Sequence, residues 1–132
     1  MIVLDASAVI DVLLGSSQAT ENIRERVEEP RQSIHVPHLM DLEVLQSLRR
    51  YALSGTLSRK RSNRAFERLT NIAFERYSHA PLLGRIWELR DNITAYDAAY
   101  VALAEALDAP LITLDARLAR APGTRAEVEV YG

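Results

Sequence analysis

Short apolar runs alternate with helical segments along this chain, and that alternation restricts the folds open to it. The runs "IVLD", "SIHVP" and "APLITLD" each end in a polar or proline stop, as buried strands do. "AFERYS" predicts a further strand, and "AEVEVY" has the alternation of an edge strand. Strands separated by helices favour a parallel sheet that helices cover on both faces. The sequence therefore predicts an α/β protein with a central, mainly parallel sheet of about four to five strands.

Capping residues and periodicity place the helices between these strands. Ser7 is predicted to cap a helix that runs to about Leu14 and stops at Gly15. Pro81 is predicted at the first position of a later helix, and Thr94 is predicted to cap the last long one. In chain order, the expected helices cover residues 7–14, 17–28, 38–55, 58–72, 81–92, 94–107 and 116–120.

The chain has the size of one ordinary domain, and we expect residues 1–132 to form a single domain. No apolar run approaches the roughly 18–20 residues of a membrane span. The start, "MIVLDASAVIDVLL", contains Asp5 and Asp11 and has no basic segment, so it predicts a strand and a helix and not a secretory signal. The absence of cysteine excludes disulfide and thiolate chemistry. We therefore expect a cytoplasmic protein with no membrane partner.

Arginine dominates the basic residues. Fifteen of the sixteen are arginine, and Lys60 is the only lysine. Six basic residues fall between Arg50 and Arg68. Arginine suits bidentate contact with phosphates or carboxylates, although most single arginines on such a segment belong to a solvated helix face. The net charge of −2 argues against tight nonspecific coating of nucleic acid and leaves room for a local basic rim.

Four carboxylates have ordinary structural roles when each is considered alone. Asp5 ends a strand, and Asp115 is suited to cap a short helix. Asp97 stands three residues after Thr94, as in a capping box. Glu43 borders the apolar stripe of its helix. Taken singly, none of the four indicates a function.

Considered together, the four carboxylates indicate a metal site. The carboxyl ends of parallel strands lie on one edge of a sheet, where ligands bind, so the two strand-end aspartates are expected to converge there with the acid at the helix start. Clustered carboxylates repel one another unless a cation neutralises them, and oxygen ligands without histidine or cysteine favour magnesium or manganese. Such an ion activates water and neutralises a phosphoryl transition state. The predicted site residues are Asp5, Glu43, Asp97 and Asp115, with Ser7 and Thr113 as supporting hydroxyls.

The same residues resemble a known family. "MIVLDASAVIDVLL" resembles the opening strand of PIN-domain proteins with its Asp-x-Ser, and "LEVLQSLRR" resembles the helix that carries their second acid. "YDAAYVALAEALDAPLITLDARLA" is the most specific match, with the third acid in a Tyr-Asp-Ala helix and the fourth at a Thr-x-Asp strand end. The match runs nearly end to end and is to the small VapC-type toxins of bacterial toxin–antitoxin pairs.

The resemblance implies a PIN-like α/β/α sandwich and a magnesium- or manganese-dependent endoribonuclease. It implies the acidic cluster named above, with Asp5, Asp97 and Asp115 holding the ion. It further implies an RNA substrate (tRNA, rRNA or mRNA), a homodimer and a cognate VapB-type antitoxin. The antitoxin is expected to lay a helix against the apolar helices near residues 10–14 and 39–53, and to quench the site with a basic residue.

Other residues were considered for RNA binding and for metal binding. The candidates to hold RNA phosphates at the rim are Arg49, Arg50, Arg59 and Arg90. We interpret Trp87, Tyr96 and Tyr100 as core or rim aromatics and not as base-stacking platforms. His35 and His38 are separated by Pro37 and have no further ligand spaced nearby, which argues against a histidine metal site.

Four alternatives were weighed. A phosphate-signalling receiver domain needs a second acid beside Asp5 and a lysine late in the chain, and Lys60 lies mid-chain. A phosphatase built on Asp-x-Asp fits less well than a nuclease, because "DAS" lacks the second aspartate. An RNA-processing nuclease without a toxin role, and a non-enzymatic module that binds metal or RNA, remain open at this point.

Overall fold

A computed structural model describes residues 1–132, and its centre is one five-stranded sheet. The strands are β1 (Ile2–Leu4), β2 (Ile34–Pro37), β3 (Phe74–Tyr77), β4 (Leu111–Thr113) and β5 (Val128–Val130). They lie in the order β3-β2-β1-β4-β5, and every neighbouring pair is parallel. The prediction of a parallel sheet is confirmed, and the strands predicted from "AFERYS" and "AEVEVY" form its two edges.

Seven α-helices connect and cover these strands. They are α1 (Ala6–Leu14), α2 (Gln18–Glu28), α3 (Leu39–Leu53), α4 (Arg59–Asn71), α5 (Leu83–Glu88), α6 (Ala95–Leu107) and α7 (Ala116–Arg120). A single 3₁₀ turn, Ala80–Leu82, precedes α5. No helix combines the length and the apolar composition needed to cross a bilayer.

The helices pack on the sheet in two groups, which gives the α/β/α arrangement. Helix α6 packs against β1, β2 and β4 and carries α5 beside it. Helix α1 packs against β1 and β4, and α2, α3 and α4 surround it. Strands β1, β2 and β4 are buried along their whole length, as expected for parallel strands covered on both faces. One core of 28 buried residues unites sheet and helices.

Helix α6 is the most buried helix of the protein. Every residue from Ala98 to Ala104 is buried, so the helix is apolar on all sides and contacts neighbours on all of them. Its alanines permit close packing against the sheet. Thr94 caps it, as predicted, because its hydroxyl accepts a hydrogen bond from the Asp97 N–H at 3.1 Å. Asp97 is therefore placed where the buried helix meets the surface.

The cap of α1 differs from the prediction. Asp5, and not Ser7, is the N-cap residue, and its carboxylate accepts a hydrogen bond from the Ala8 N–H at 3.0 Å. Both residue types favour this position. Ser7 lies inside the first turn of the helix, and its hydroxyl is free to serve the neighbouring strand end.

The helix predicted over 81–92 is also shorter than expected. Pro81 lies in the 3₁₀ turn, and α5 ends at Glu88. The N–H of Leu89 donates to the carbonyls of both Arg85 and Ile86, which tightens the last turn and stops the helix. The residues up to Thr94 then form the turn that leads into α6.

Gly15, at the junction of α1 and α2, offers a test of how tightly this region is packed. A Cβ there would overlap the Thr20 hydroxyl and the carboxylate and carbonyl of Asp11, and those side chains are joined by a 2.7 Å hydrogen bond. We expect Gly15→Ala to lower the free energy of unfolding by about 1–3 kcal/mol, as overpacking does. Urea denaturation measures it.

Gly84→Ala is the matched control for that substitution. Gly84 lies in α5, where an added Cβ meets nothing within 4 Å. The change should therefore be neutral or stabilise the protein by about 0.5–1 kcal/mol, because alanine favours helix. Equal effects of the two substitutions would contradict the packing described at Gly15.

Candidate active site

The carboxyl ends of two central strands define the site. Asp5 directly follows β1 and Asp115 follows β4 by two residues, while Asp97 comes from the first turn of α6 and Glu43 from α3. All four line one cavity of about 570 Å³, which we call the acidic cavity. The spacing of the four acids in the sequence could not establish that they lie together, whereas the structure shows that they do. Other residues of the lining include Ser7, Arg50, Tyr96 and Tyr100.

Asp5 is the most buried of the four acids, at 6% exposed. The Ser7 hydroxyl donates to one carboxylate oxygen at 2.6 Å, and the Thr113 hydroxyl donates to the other. The backbone N–H groups of Leu114 and Asp115 donate in turn to the Ser7 and Thr113 oxygens, at 3.1 and 3.0 Å. Because each hydroxyl oxygen accepts from an N–H, its own proton is directed at Asp5. Burial raises the pKa of the Asp5 carboxyl, and the two hydroxyls oppose that rise.

Glu43 is held by Tyr100, a residue of α6. The tyrosine hydroxyl donates to Glu43 Oε1 at 2.6 Å, and the ring is 1% exposed. Burial raises the pKa of the Glu43 carboxyl, the Tyr100 hydrogen bond opposes the rise, and the charges of Asp97 and Asp5 add to it. Sequence reasoning placed Tyr100 correctly among core or rim aromatics but missed this bond. Tyr100 stands three residues after Asp97, so the two lie on one face of the helix, and this spacing could have indicated that Tyr100 lies near the acids.

Asp97 is half-buried at the start of α6, and its carboxylate forms no ion pair. Only one of the two hydrogen bonds of the predicted capping box is present. The Thr94 hydroxyl accepts from the Asp97 N–H, but the Asp97 carboxylate accepts no bond from the Thr94 N–H. Burial raises the pKa of the Asp97 carboxyl; the Thr94 hydroxyl and Arg117 lower it, and the charge of Asp115 raises it further. This carboxylate is left available for a ligand.

Asp115 differs from the other three acids because it has a cationic partner. It caps α7, as predicted, through a 2.9 Å bond from the Arg117 N–H. The Arg117 guanidinium also makes bonds of 3.1 and 2.9 Å to its two carboxylate oxygens. These hydrogen bonds lower the pKa of the Asp115 carboxyl. Arg117 was not singled out in the sequence, although its spacing of two residues from Asp115 was visible there.

The donor chemistry of the acidic cavity fits a divalent cation. The acids offer oxygen atoms only, and Asp5, Glu43 and Asp97 have no cationic partner. A carboxylate oxygen that accepts one hydrogen bond keeps a further lone pair for an ion. No three acidic or histidine side chains, however, are close enough in this conformation to hold one metal ion. The predicted ligand set is thus not assembled here, since Asp5 is oriented by its two hydroxyls and Asp115 by Arg117.

The four arginines predicted to hold RNA do not all line one cavity. Arg50 lines the acidic cavity, and Arg90 lines a neighbouring cleft that Asp97 and Asp115 also border. Arg49 and Arg59 line neither space. Arg50 is thus the one of the four that lines the cavity with the acids.

Comparison with known proteins identifies the class of this chain. The PIN domain model matches residues 2–123, so the chain belongs to the PIN-domain family. Within it, the chain belongs with the VapC ribonucleases. It is 43% identical to Ribonuclease VapC1 of Mycobacterium tuberculosis over 97% of this chain and 96% of that protein. It is 45% identical to Ribonuclease VapC9 of the same species over 89% and 88% of the two chains.

A solved structure extends the comparison to the fold. VapBC2 from Rickettsia felis, bound to a DNA fragment from its promoter, superposes with a TM-score of 0.73 over the whole of both chains. The two sequences are 16% identical, so this likeness concerns the fold alone. The α/β/α prediction and the family resemblance are both confirmed.

The raised pKa of Asp97 has a consequence for stability. A carboxyl whose pKa is higher in the folded than in the unfolded protein favours folding while protonated, and that contribution is lost as the pH rises through the folded pKa. We therefore expect Asp97→Asn to raise the melting temperature at pH 7. The gain should disappear as the pH falls below about 4, where an unfolded aspartate also protonates.

Thermal denaturation from pH 3 to 8 provides the measurement. Asp91→Asn, which changes an exposed aspartate outside the acidic cavity, is the control and should show no such pH dependence. Destabilisation by Asp97→Asn at pH 7 would instead assign the carboxylate a structural role in the helix cap.

Proposed function

We propose that this protein, as one nuclease domain over residues 1–132, is a divalent-metal-dependent endoribonuclease and the toxin of a type II toxin–antitoxin pair. The convergence of Asp5, Glu43, Asp97 and Asp115 on one cavity, three of them without a cationic partner, carries the proposal. Similarity to VapC1 and VapC9, which are named ribonucleases, supports the activity. The pairing with an antitoxin is what the resemblance to the VapC-type toxins implies, and the similarity to VapC1 and VapC9 supports that resemblance. We also propose a cytoplasmic location.

Asp5, Asp97 and Asp115 would hold the ion, either magnesium or manganese. Such an ion, when bound, supplies positive charge at the phosphodiester and lowers the pKa of a water molecule. The Ser7 and Thr113 hydroxyls present Asp5 in a fixed orientation, so little reorganisation is needed there. Asp115 Oδ2 accepts a single hydrogen bond, from the Arg117 guanidinium, so it keeps a lone pair for the ion.

Glu43 is the candidate general base. Tyr100 holds its Oε1, and the other carboxylate oxygen is free to accept a proton from the attacking water. Burial raises the pKa of Glu43, which makes it a stronger base than an exposed glutamate. The water oxygen bonds to phosphorus in line with the leaving oxygen, and that phosphorus–oxygen bond breaks. The leaving oxygen takes up a proton from bulk water, to which Glu43 returns the proton that it accepted. Arg50 lines the cavity and would contact the phosphate.

A VapB-type antitoxin is proposed to bind along α1 and α3. Val12, Met40 and Val44 are in the core, whereas Leu42, Leu45 and Leu53 of α3 are exposed. A cavity of about 420 Å³ remains between the two helices, lined by residues that include Ile10 and Tyr51. It shares Ile10 with the acidic cavity, so a helix bound there could bring a basic side chain to the carboxylates. We also propose the homodimer that the family resemblance implies.

Cleavage of purified tRNA and rRNA tests the activity. We expect discrete fragments with magnesium or manganese and none with EDTA. Asp5→Asn and Asp97→Asn should each reduce the rate by at least about 100-fold, because each removes charge at the developing transition state. The control is Glu67→Gln, an exposed acid on α4 that should leave the rate unchanged. Metal-independent cleavage, or full activity of both aspartate variants, would refute the mechanism.

Growth of a bacterial host tests the toxin role separately. Induced expression of the chain should arrest growth, and Asp97→Asn should not, because the two differ by one carboxylate in the cavity. Cell counts after induction provide the measurement. Metal-dependent cleavage in vitro without growth arrest would indicate an RNA-processing nuclease. Metal or RNA binding without cleavage would indicate a non-enzymatic module.

A further inference from the structure

A second, mostly polar cleft adjoins the acidic cavity. It encloses about 680 Å³ between the turn before α6 and helix α7. Its polar lining includes Arg90, Asn92, Thr94, Arg117 and Arg120, and we call it the arginine cleft. Asp97 and Asp115 line both spaces. The arginine cleft is therefore continuous with the acidic cavity past two of the candidate catalytic acids.

Trp87 stands beside this cleft on the protein surface. The residue is 67% exposed, and the Arg90 guanidinium lies over its ring at 4.5 Å from the centroid. Arg90 also donates to the Trp87 carbonyl at 2.9 Å. Of the two positions predicted for Trp87, core or rim, this exposure leaves the rim, where the ring is accessible to a ligand. An exposed indole stacked on a cleft-lining arginine is the arrangement found where bases stack.

The charges of the arginine cleft are little used within the protein. Arg120 makes no hydrogen bond or ion pair with any other side chain, yet it lies near enough to Asp115 to lower the pKa of that carboxyl. Arg117 has a side chain that is 86% exposed, and its only partner is Asp115. Arg90 engages only Trp87. Most guanidinium donors of the cleft thus face solvent.

We infer that the arginine cleft and Trp87 form a subsite for single-stranded RNA, in which the arginines bind backbone phosphates and the Trp87 ring stacks on a base. The inference rests on the proposed ribonuclease function and specifies the path of its substrate. Guanidinium groups match phosphate oxygens, and an indole face accepts any base. Duplex RNA is excluded because its bases are already stacked on one another. The subsite adds affinity next to the acids without reading sequence.

Because Trp87 is the only tryptophan, its fluorescence reports on this subsite alone. A mixed-sequence single-stranded RNA oligonucleotide, added in EDTA to prevent cleavage, should quench that fluorescence. Anisotropy of the same oligonucleotide carrying a fluorescein label gives the affinity. Trp87→Ala should weaken binding about tenfold, and Trp87→Phe should retain most of it. Arg120→Ala should weaken binding several-fold. It should also reduce the slope of log affinity against log salt concentration by about 1, as the loss of one phosphate contact does.

Arg64→Ala provides the matched control. Arg64 is an exposed arginine of α4 that lines neither the acidic cavity nor the arginine cleft, so its removal should leave affinity unchanged. With magnesium present, Trp87→Ala and Arg120→Ala should raise KM and leave kcat near its native value, since neither residue touches the reacting atoms. Circular dichroism confirms that each variant is folded.

The outcomes separate this inference from the proposed function. If the native protein binds and cleaves RNA while both variants match Arg64→Ala in affinity and in KM, the subsite is refuted and the nuclease stands. If the native protein neither binds nor cleaves any RNA, both fail. Trp87 is four residues after the exposed Leu83, so a contact between two copies is the rival use of this face. Loss of a dimer in Trp87→Ala, by sedimentation, with unchanged RNA affinity would overturn the inference in favour of that contact.

Discussion

The attachment of Asp5 to the end of β4 is the interaction on which the candidate site depends. Asp5 caps α1 through the Ala8 N–H and accepts both the Ser7 and the Thr113 hydroxyl. One carboxylate therefore fixes the start of a helix and joins two neighbouring strand ends. Helix α6 packs across β1 and β4 and presents Asp97 at the same edge.

The carboxylates of the acidic cavity repel one another in the folded protein. Burial raises the pKa of Asp5, Glu43 and Asp97, and mutual repulsion adds to the rise in each case. Only Asp115 is neutralised, by the exposed Arg117. An exposed pair of this kind contributes little to stability. The fold thus maintains an unfavourable charge arrangement that a bound cation would relieve, which is typical of a site selected for chemistry.

Local signals predicted most of the fold, and long-range contacts account for what was missed. Apolar runs and caps gave the strands and the Thr94 start of α6, because those depend on neighbouring residues. Asp5 and Ser7 both suit a helix cap, and the choice between them depends on Thr113, which is 108 residues further along. Tyr100 and Glu43 are likewise 57 residues apart. Arg50 lines the cavity and Arg49 does not. Hydrophobic periodicity gives the buried face of a helix only approximately, so it could not distinguish these two neighbours.

Because Asp5 and Thr113 are far apart in the sequence, the parts of the site are synthesised at different times. Asp5 is among the first residues to be translated, whereas the hydroxyl that orients it and the acid beside that hydroxyl come 108 and 110 residues later. Chains are synthesised from the N-terminus, so a nascent chain that ends before β4 has three of the four acids but neither Thr113 nor Asp115. A chain still being synthesised therefore carries no complete acidic cluster while β4 and Asp115 are missing.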